Sequence, residues 1–578
     1  MNLIKRMRWQ ILIIIAALVI IAVVLWGQQA EPVLVEAPEP TGGGVYREGI
    51  LGEFMRINPL LAEFNPPDQD VTRLLFNGLI QFDPTGLPQP DLSNAWNISR
   101  DGTVYNFSLR DDVFWHDGEQ FNSDDVVFTL NLLKNPDFPV QDDLREFWNE
   151  IEYEKLDDYT ILFRLPEPFA PFLDYLTFGI LPEHLLGEMS AGEIIDDPFN
   201  LLPVGTGMFR FEELLTEDGE VIGVALGKNT DYFADEAFFD RIEFYYFDSE
   251  ENIWESYQAG EIDGIAGISK DLLPEVLMEP ELNLYTSRLP EMTIVFLNLD
   301  NPETPFFQNV EIRKALLHGV NRQYIVDRIN AGQAIIAEGP VFPKTWAYND
   351  ALPPHDFDPE LAEEIIRDLG YTYPAEGGNI RENEDGVKLQ FTLTHPDDPI
   401  HTEIAQSIQG NWSGLGIDVE LEALSYEELI QTRLEPRTYE AVLLDLNLTG
   451  SPDPDPYPFW HQAEITGGQN YAMWNDRRAS ESLEQARIVK DILERQRLYR
   501  NFQVRFHDQL PALPLYYPVY NYAVSTDVKG VRIGPVFEPA DRLETIGEWY
   551  FFFEVPGGQD GLTDDNLESG EDQTPENQ

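Results

Sequence analysis

The stretch that decides the fold runs from Leu74 to Leu133 and reads LLFNGLIQFDPTGLPQPDLSNAWNISRDGTVYNFSLRDDVFWHDGEQFNSDDVVFTLNLL. Within it, Thr103–Arg110 alternates apolar and polar side chains, as a half-buried strand requires. The Asp-Gly dipeptides at 101–102 and 117–118 are typical of tight turns. After the second turn the sequence predicts a helix, with Ser123 as its cap and two aspartates in its first turn. Strands, turns and a helix in this order predict an α/β body.

The same alternation continues along the chain. Strand-like segments are predicted at Thr160–Leu165 and Met292–Leu299, and alternating apolar side chains predict another strand at Ile417–Leu424. A helix is predicted from Asp358 as N-cap and Pro359 at the first position to Gly370 at its end. Two apolar stripes are predicted to be core, namely Leu361, Ile365 and Leu369, and Ile404, Ile408 and Trp412. Such α/β lobes offer a cleft between them for small ligands.

Length and charge limit the function. The chain has 578 residues, 43% of them hydrophobic, which predicts at least two lobes. Its formal net charge of −65 repels phosphate backbones and argues against nucleic-acid binding. The acidity favours a solvated surface, and a preference for cationic ligands is the alternative. The absence of cysteine excludes disulfides, thiolate metal sites and a lipoprotein anchor.

The N-terminus has the pattern of an export signal. Lys5, Arg6 and Arg8 precede an uncharged apolar run, Ile11–Trp26. The first charged residues after the run are all acidic. This asymmetry directs the rest of the chain out of the cytoplasm. The run lacks a clear cleavage site, so residues 1–28 are interpreted as an uncleaved signal anchor, with a removed signal peptide as the alternative. A Pro/Gly/Glu-rich linker at 29–44 and a disordered acidic tail at 557–578 are predicted around the folded body.

No catalytic motif is found in the sequence. The eight histidines are scattered without metal-ligand spacing, and there is neither a GxSxG elbow nor a phosphate-binding GxxxxGK[ST] loop. The acidic run that begins at Asp453 lacks the glycine of an EF-hand. The chain is therefore predicted to be no enzyme and to hold no cofactor or metal, and any ATP hydrolysis is expected in another subunit.

The body resembles the family 5 extracellular solute-binding proteins, which include the dipeptide- and oligopeptide-binding components of ABC importers. Leu74–Leu133 is similar to the family's "GL…G.P.P.LA..W", "S.DG..Y.F.LR..V.(F/W)HDG" and "(T/S).DDVV" segments. Four further blocks follow in the family's order, at Pro203–Phe211, Asn309–Pro343, Pro452–Asp476 and Leu513–Val531. The resemblance covers nearly all of residues 45–545.

The resemblance implies a class II periplasmic-binding-protein fold, with two lobes, hinge crossings and an extra domain on the first lobe. In this interpretation the solute-binding domain spans 45–556. The first lobe comprises about 45–290 and 520–556, including the extra domain at about 72–185, and the second lobe comprises about 291–519.

The resemblance also implies where a ligand binds. In peptide-binding relatives the ligand lies extended between the lobes, with its main chain hydrogen-bonded like an added strand. An aspartate that binds the ligand's α-amine in relatives corresponds to Pro452 here, and Asp453 is the predicted substitute, with a plain turn residue as the alternative. The other predicted ligand-binding residues are Asn65, Asp68, Thr449, Gly450, Ser451 and, as aromatic walls or core rings, Tyr471 and Trp474.

Together these features predict an extracytoplasmic, membrane-tethered and monomeric receptor. It would capture a peptide or related small solute and deliver it to ABC permease subunits with cytoplasmic ATPases. A nickel chelate, an oligosaccharide or an opine remains open as the ligand. A cleft hydrolase and a non-transporting sensor ectodomain are the alternatives of other classes.

Overall fold

The computed structural model describes residues 42–448 and 452–552. The predicted signal anchor, nearly all of the linker and the acidic tail lie outside these residues. Within the described part, no helix is long and apolar enough to cross a membrane. Residues Gly42–Phe551 form one compact unit by their contacts.

Twelve strands form one large mixed sheet, in the order β16-β15-β17-β13-β18-β11-β1-β10-β9-β8, and β12 and β14 also pair with β18. The twelve are β1 (Val45–Leu51), β8 (Phe209–Glu217), β9 (Glu220–Lys228), β10 (Arg241–Phe247), β11 (Gly264–Ile265), β12 (Leu282–Arg288), β13 (Glu291–Leu297), β14 (Ala334–Ile336), β15 (Gln390–Pro396), β16 (Asp418–Leu424), β17 (Ala441–Asn447) and β18 (Ala512–Ser525).

Smaller sheets lie beside the large one. A four-stranded antiparallel sheet has the order β4-β5-β7-β6, and two two-stranded sheets are formed by β2-β3 and β19-β20. Their bounds are β2 (Ile80–Phe82), β3 (Pro88–Pro90), β4 (Ser93–Ile98), β5 (Val104–Leu109), β6 (Glu152–Asp157), β7 (Thr160–Arg164), β19 (Val528–Lys529) and β20 (Tyr550–Phe551). One cluster of buried apolar side chains includes Tyr46, Phe107 and Trp549, so the four-stranded sheet shares its core with β1 and the C-terminal segment.

The described part of the chain contains fifteen α-helices. They are α1 (Pro66–Leu75), α2 (Ser123–Lys134), α3 (Asp142–Glu150), α4 (Glu183–Leu186), α5 (Ala191–Ile195), α6 (Glu250–Gln258), α7 (Leu273–Met278), α8 (Val310–His318), α9 (Arg322–Tyr324), α10 (Pro359–Asp368), α11 (Pro399–Gly414), α12 (Tyr426–Leu429), α13 (Tyr457–Trp460), α14 (Arg477–Ile488) and α15 (Ile492–Gln509). Two π-helical turns, Ile325–Ile329 and Ile430–Leu434, extend α9 and α12. Short 3-10 helices occupy Ala62–Phe64, Ala170–Leu176, Pro198–Asn200, Pro305–Gln308, Gln462–Ile465, Pro539–Leu543 and Ile546–Glu548.

The strand β18 joins two separately packed halves. Its first part pairs with β13, with Thr293 opposite Tyr516, and its second part pairs with β12, with Arg288 opposite Val519. Two clusters of buried side chains pack on the faces of β13 and its neighbours, and these second-lobe cores are separate from the first-lobe cores. The chain therefore crosses between lobes in β18 and again between β12 and β13, which confirms the predicted two-lobe α/β fold.

Of the two predicted helix N-caps, one is confirmed and the other was wrong. Helix α10 begins at Pro359, and the Asp358 side chain accepts a hydrogen bond from the Leu361 backbone N–H, as an N-cap does. The prediction that Ser123 caps α2 was wrong, because Asn122 is the cap and completes a capping box with Asp125.

The two predicted apolar stripes also differ in outcome. Ile404, Ile408 and Trp412 are fully buried, as predicted. In α10 the fully buried side chains are Ala362 and Ile366, so the prediction that Leu361 is core was wrong. Ile365 and Leu369 are only partly buried against the same core.

Candidate ligand-binding site

The strand order brings the ends of strands from both lobes to one seam. In the first lobe β1, β10 and β11 are parallel. The last residue of β11, Ile265, lies opposite Ala523 of β18, so the backbone that follows β11 runs toward the point where β18 crosses between the lobes. In the second lobe β15, β16 and β17 are parallel, and the end of β17 lies beside Glu291 at the start of β13. Ligands of open α/β sheets bind outside the carboxyl ends of parallel strands. The seam between these two edges, at Tyr517–Val519 of β18, is therefore the candidate site.

Asn65 and Asp68 lie at the first-lobe edge of this seam and hold the loop that follows β1. The Asp68 carboxylate accepts hydrogen bonds from the backbone N–H groups of Met55 (3.2 Å) and Arg56 (3.0 Å). The Asn65 side chain donates to the Glu53 carbonyl (3.0 Å). Burial raises the pKa of Asp68, against the effect of these hydrogen bonds. The structure therefore places both predicted residues in a positioning role for the loop.

The loop itself was missed by sequence reasoning. Met55 is 55% exposed although it is large and apolar, and Leu51 at the end of β1 is also exposed. An exposed methionine at the edge of a cleft is adaptable to different apolar groups. The sequence alone does not indicate that Met55 is exposed at the first-lobe edge of the seam, because that position depends on how the strands pair.

Asp453 lies in a buried charge network. Its carboxylate is 2.5 Å from Arg495 Nη2, and it accepts a hydrogen bond from the Tyr499 hydroxyl (3.0 Å). Its backbone N–H donates to Asp174 of the first lobe (2.9 Å). Because Arg495 already neutralises the carboxylate, an α-amine that binds it would have to compete with this guanidinium. The amine-binding role of Asp453 stays a prediction.

Thr449, Gly450 and Ser451 lie outside the described residues. Leu448, which precedes them, donates its backbone N–H to the Pro290 carbonyl (2.7 Å). This bond holds Leu448 beside the start of β13. The role of the three residues in ligand contact stays a prediction.

The two predicted aromatic walls pack against other side chains of the second lobe. Trp474 is 4% exposed and packs edge-on against Phe506 in a second-lobe core. Tyr471 contacts Phe296 and lies beneath the Arg437 guanidinium (4.6 Å). Phe296 is the last but one residue of β13, at the other end of the strand from Glu291. The packing of both rings agrees with the core alternative, and a ligand contact stays untested.

An acidic cluster occupies the second-lobe edge. Asp445 accepts a hydrogen bond from the Thr293 hydroxyl (2.5 Å) and lies 3.1 Å from Nε2 of His401. The other ring nitrogen of His401, Nδ1, is 2.6 Å from Asp398. Burial lowers the pKa of His401, but the two aspartates outweigh it and raise the pKa overall. Burial, with the nearby Asp445, raises the pKa of Glu291 to about 7. The cluster gives this edge a negative potential, and sequence reasoning missed it because its members come from three distant segments.

Contacts away from the strand crossings also join the lobes in this structure. The Lys490 ammonium of the second lobe donates to the Ser99 carbonyl of the four-stranded sheet (2.6 Å), and the Trp346 backbone N–H donates to the Thr85 carbonyl (3.1 Å). With the Asp174–Asp453 bond, these contacts connect the second lobe to the region that the sequence predicted as an extra domain.

The chain belongs to the bacterial extracellular solute-binding proteins, family 5, whose sequence model matches residues 88–468. It is 24% identical over 522 residues to the oligopeptide-binding protein AppA of Bacillus subtilis (strain 168), covering 89% of this chain and 93% of the relative. It is 26% identical to the dipeptide-binding protein of Escherichia coli (strain K12), covering 80% and 87%. The structure of HbpA2 from Haemophilus parasuis superposes with a TM-score of 0.76 at 23% identity, covering 88% of this chain and 100% of that one.

Proposed function

We propose that this protein is the substrate-binding component of an ABC importer and captures peptides between its two lobes. The observation that carries the proposal is the seam, where strand ends of both lobes meet beside the two chain crossings of the described residues, in β18 and between β12 and β13. Similarity over 89% and 80% of the chain to an oligopeptide-binding and a dipeptide-binding protein supports peptides as the ligand class. The protein binds and releases its ligand without catalysis and passes it to permease subunits powered by ATPases.

The proposal includes a location. The basic N-terminal flank and the apolar run Ile11–Trp26 support a body outside the cytoplasm and tethered to the membrane. Cell fractionation tests this part. The protein is expected in the membrane fraction at its full mass and accessible to protease from outside the cytoplasm. Recovery of a shortened protein in the soluble extracytoplasmic fraction would favour a cleaved signal peptide.

A thermal-shift screen tests the ligand class. The purified protein is screened against di-, tri- and nonapeptides, nickel chelates and oligosaccharides. A ligand at 100 times its Kd stabilises the folded state by about 2.7 kcal/mol. For a unit of about 500 residues this corresponds to roughly 2–3 °C in Tm. Peptides alone are expected to give this shift, and a shift with chelates or sugars only would replace the peptide proposal.

The same samples test the absence of catalysis and the closure of the lobes. Mass spectrometry is expected to recover every stabilising peptide intact after prolonged incubation, and the appearance of fragments would favour a cleft hydrolase. Small-angle scattering is expected to give a smaller radius of gyration with the stabilising peptide than without it. An unchanged radius would contradict capture by lobe closure.

A further inference from the structure

One surface of the second lobe carries positive charge on a chain that is acidic as a whole. Residues 477–509, which form α14, α15 and the turn between them, contain eight Lys+Arg and five Asp+Glu. The whole chain has 38 Lys+Arg against 103 Asp+Glu. An acidic surface keeps a protein soluble, but a basic surface on the same protein attracts an anionic partner and needs a separate explanation.

Four exposed side chains form one stripe along α15, called here the α15 face: Leu493, Arg497, Arg500 and Val504. They follow each other at intervals of four, three and four residues, so they lie within about 60° of one another around the helix axis. The leucine and the valine are 71% and 43% exposed. The face therefore offers a basic centre with an apolar side chain at each end.

The two arginines of the α15 face are only weakly engaged by the protein. Arg497 is 67% exposed and forms a pair with Glu494 on the same helix (3.3 Å). An exposed pair of this kind contributes little to stability. Arg500 forms no ion pair with any residue of the described ranges, and its Nε donates to the Tyr348 carbonyl (3.3 Å). Both guanidinium groups therefore keep donors for a further acidic partner.

The α15 face is separate from the candidate ligand site. The buried side chains of α15 include Arg495 and Phe502, which lie about 180–200° around the helix from Leu493. Because Arg495 pairs with Asp453, that charge network lies on the opposite side of the helix from the α15 face. An occupant of the face therefore leaves the seam accessible to a ligand.

The acidic tail at 557–578 has the complementary charge. It contains seven Asp+Glu and no Lys+Arg, and Leu562 and Leu567 lie among the acids. Carboxylates bind guanidinium groups through charge-assisted hydrogen bonds, which are often bidentate. The tail therefore offers acids for the basic centre of the α15 face and apolar side chains for its ends.

The tail is long enough to reach the α15 face. Ser569, among the acids, follows the last described residue, Phe552, by 17 residues, which span up to about 58 Å. A compact unit of about 510 residues has a radius of gyration of about 24 Å. A short series of contacts and chain segments leads from Phe551 to α15, through Val528, Gly534, Pro84, Thr85, Trp346 and Gln496.

Charge favours the tail over a second copy of the chain as the occupant. Exposed ion pairs are individually weak, so a contact built on two arginines needs a high local concentration of acid. Within one chain the effective concentration is on the order of millimolar. Two whole molecules, each with a formal net charge of −65, repel each other instead.

We propose that the acidic tail docks on the α15 face, with its carboxylates bound to Arg497 and Arg500. Docking covers a basic surface that would otherwise attract acidic surfaces of other molecules. The contact depends on charge, so it loosens as the Debye length falls from about 30 Å at 0.01 M salt to about 3 Å at 1 M. The inference goes beyond the proposed peptide capture and does not depend on it.

Disulfide cross-linking of the full-length protein in mild detergent tests the contact, because the chain has no cysteine of its own. Asn501→Cys places one thiol beside the α15 face, and Ser569→Cys places the other among the acids of the tail. Gln406→Cys, at an exposed position of α11, replaces Asn501→Cys in the matched control. The rate at which each single thiol reacts with a soluble maleimide corrects for differences in reactivity.

Mild oxidation is expected to form the 501–569 cross-link about 10-fold faster than the 406–569 cross-link at about 0.01 M salt. At about 1 M salt the two rates are expected to become similar, because the charges are screened. Arg497→Gln with Arg500→Gln is expected to remove the low-salt preference. Arg497→Lys with Arg500→Lys keeps most of it because the charge remains. The Tm of each variant reports whether it is folded.

Substitutions in the tail test the other side of the contact. Glu571→Gln with Asp572→Asn removes two of the seven acids and is expected to reduce the preference severalfold. Gln573→Ala with Thr574→Ala changes two neighbouring uncharged residues and is the matched control, which is expected to leave the preference unchanged. Equal rates for the acid-deficient tail and its control would remove the tail carboxylates from the contact and overturn the proposal.

Three further results would overturn the proposal and leave peptide capture untouched. The first is equal rates for the 501–569 and 406–569 cross-links at low salt. The second is a preference that survives Arg497→Gln with Arg500→Gln. The third is a cross-link between two chains, seen at twice the mass, which would identify a second copy as the occupant of the α15 face.

Discussion

Replacing Arg542 is expected to destabilise the first lobe strongly. Its side chain is 1% exposed and lies between two buried carboxylates. The guanidinium donates to Glu48 (3.0 and 2.5 Å) and to Asp70 (2.6 and 2.6 Å). Glu48 also accepts hydrogen bonds from the hydroxyls of Tyr46 and Tyr522. The arginine thus ties the C-terminal segment to β1 and α1.

The magnitude follows from what the substitution leaves behind. Arg542→Met keeps much of the side-chain volume but leaves two buried carboxylates without their cation. Breaking one partner of a buried ion pair costs about 3–5 kcal/mol. With about 2.1 cal/mol/K of unfolding entropy per residue over about 500 residues, the expected loss in Tm is roughly 3–5 °C.

Scanning calorimetry at pH 8 and pH 5 measures this loss and its cause. Burial raises the pKa of Asp70 even with Arg542 present, and the variant loses the opposing effect of the cation. A carboxyl with a raised folded-state pKa costs stability when ionised, so the penalty is largest at pH 8 and shrinks as the pH falls. The matched control is Arg532→Met, which removes an exposed pair with Glu548 and is expected to change the free energy of unfolding by less than about 1 kcal/mol.

A compensated variant completes the test. Adding Glu48→Gln and Asp70→Asn to Arg542→Met removes the orphaned charges and is expected to recover most of the lost Tm. Equal melting temperatures for wild type and Arg542→Met, or a loss that is the same at both pH values, would refute the reasoning.

Three further substitutions test the seam and the second lobe. Glu291→Gln is expected to raise the free energy of unfolding at pH 8 by about 1–3 kcal/mol and to have little effect near pH 5. The reason is that the folded-state pKa of Glu291, about 7, lies above its unfolded value, so stability is lost as the pH rises toward 7; a pH-independent effect in denaturant titrations would argue against it. Trp474→Ala is expected to cost about 3–5 kcal/mol in the same titrations without changing peptide selectivity, and altered selectivity at normal stability would return Trp474 to the ligand site. Asp453→Asn is expected to lower Tm and to weaken the binding of peptides with a free α-amine but not of N-acetylated peptides. The control is Asp455→Asn, which breaks the neighbouring pair with Arg487. Equal losses of affinity for both peptide forms would exclude the amine-binding role of Asp453.

Local signals made the elements predictable. Asp358, Pro359 and Gly370 bracket α10 because capping depends only on neighbouring residues. The error at Leu361 has a simple cause: in a helix, a shift of one residue rotates the buried face by about 100°. Charged residues such as Glu360 and Glu363 flank both the predicted stripe, which starts at Leu361, and the buried one, which starts at Ala362. The sequence therefore did not discriminate between the two stripes.

The site was less predictable because its contacts are long-range. The prediction that Asp453 lies near the seam came from resemblance, but its partner Arg495 is on α15 and pairs only in the folded state. The cluster of Glu291, Asp445 and His401 likewise forms only once β13 pairs with β17. Strand pairing and the polar partners that it brings together could not be inferred from local pattern.

The contact between Glu48 and Arg542 joins positions 494 residues apart and has a consequence for biosynthesis. The second lobe is built largely from one continuous segment, whereas the first needs both ends of the described chain. A polypeptide that emerges amino end first can therefore complete the second lobe while the first still lacks its closing segment. Until the segment with Arg542 has been made, the nascent first lobe exposes unpaired strand edges, and such edges are prone to pair with other chains.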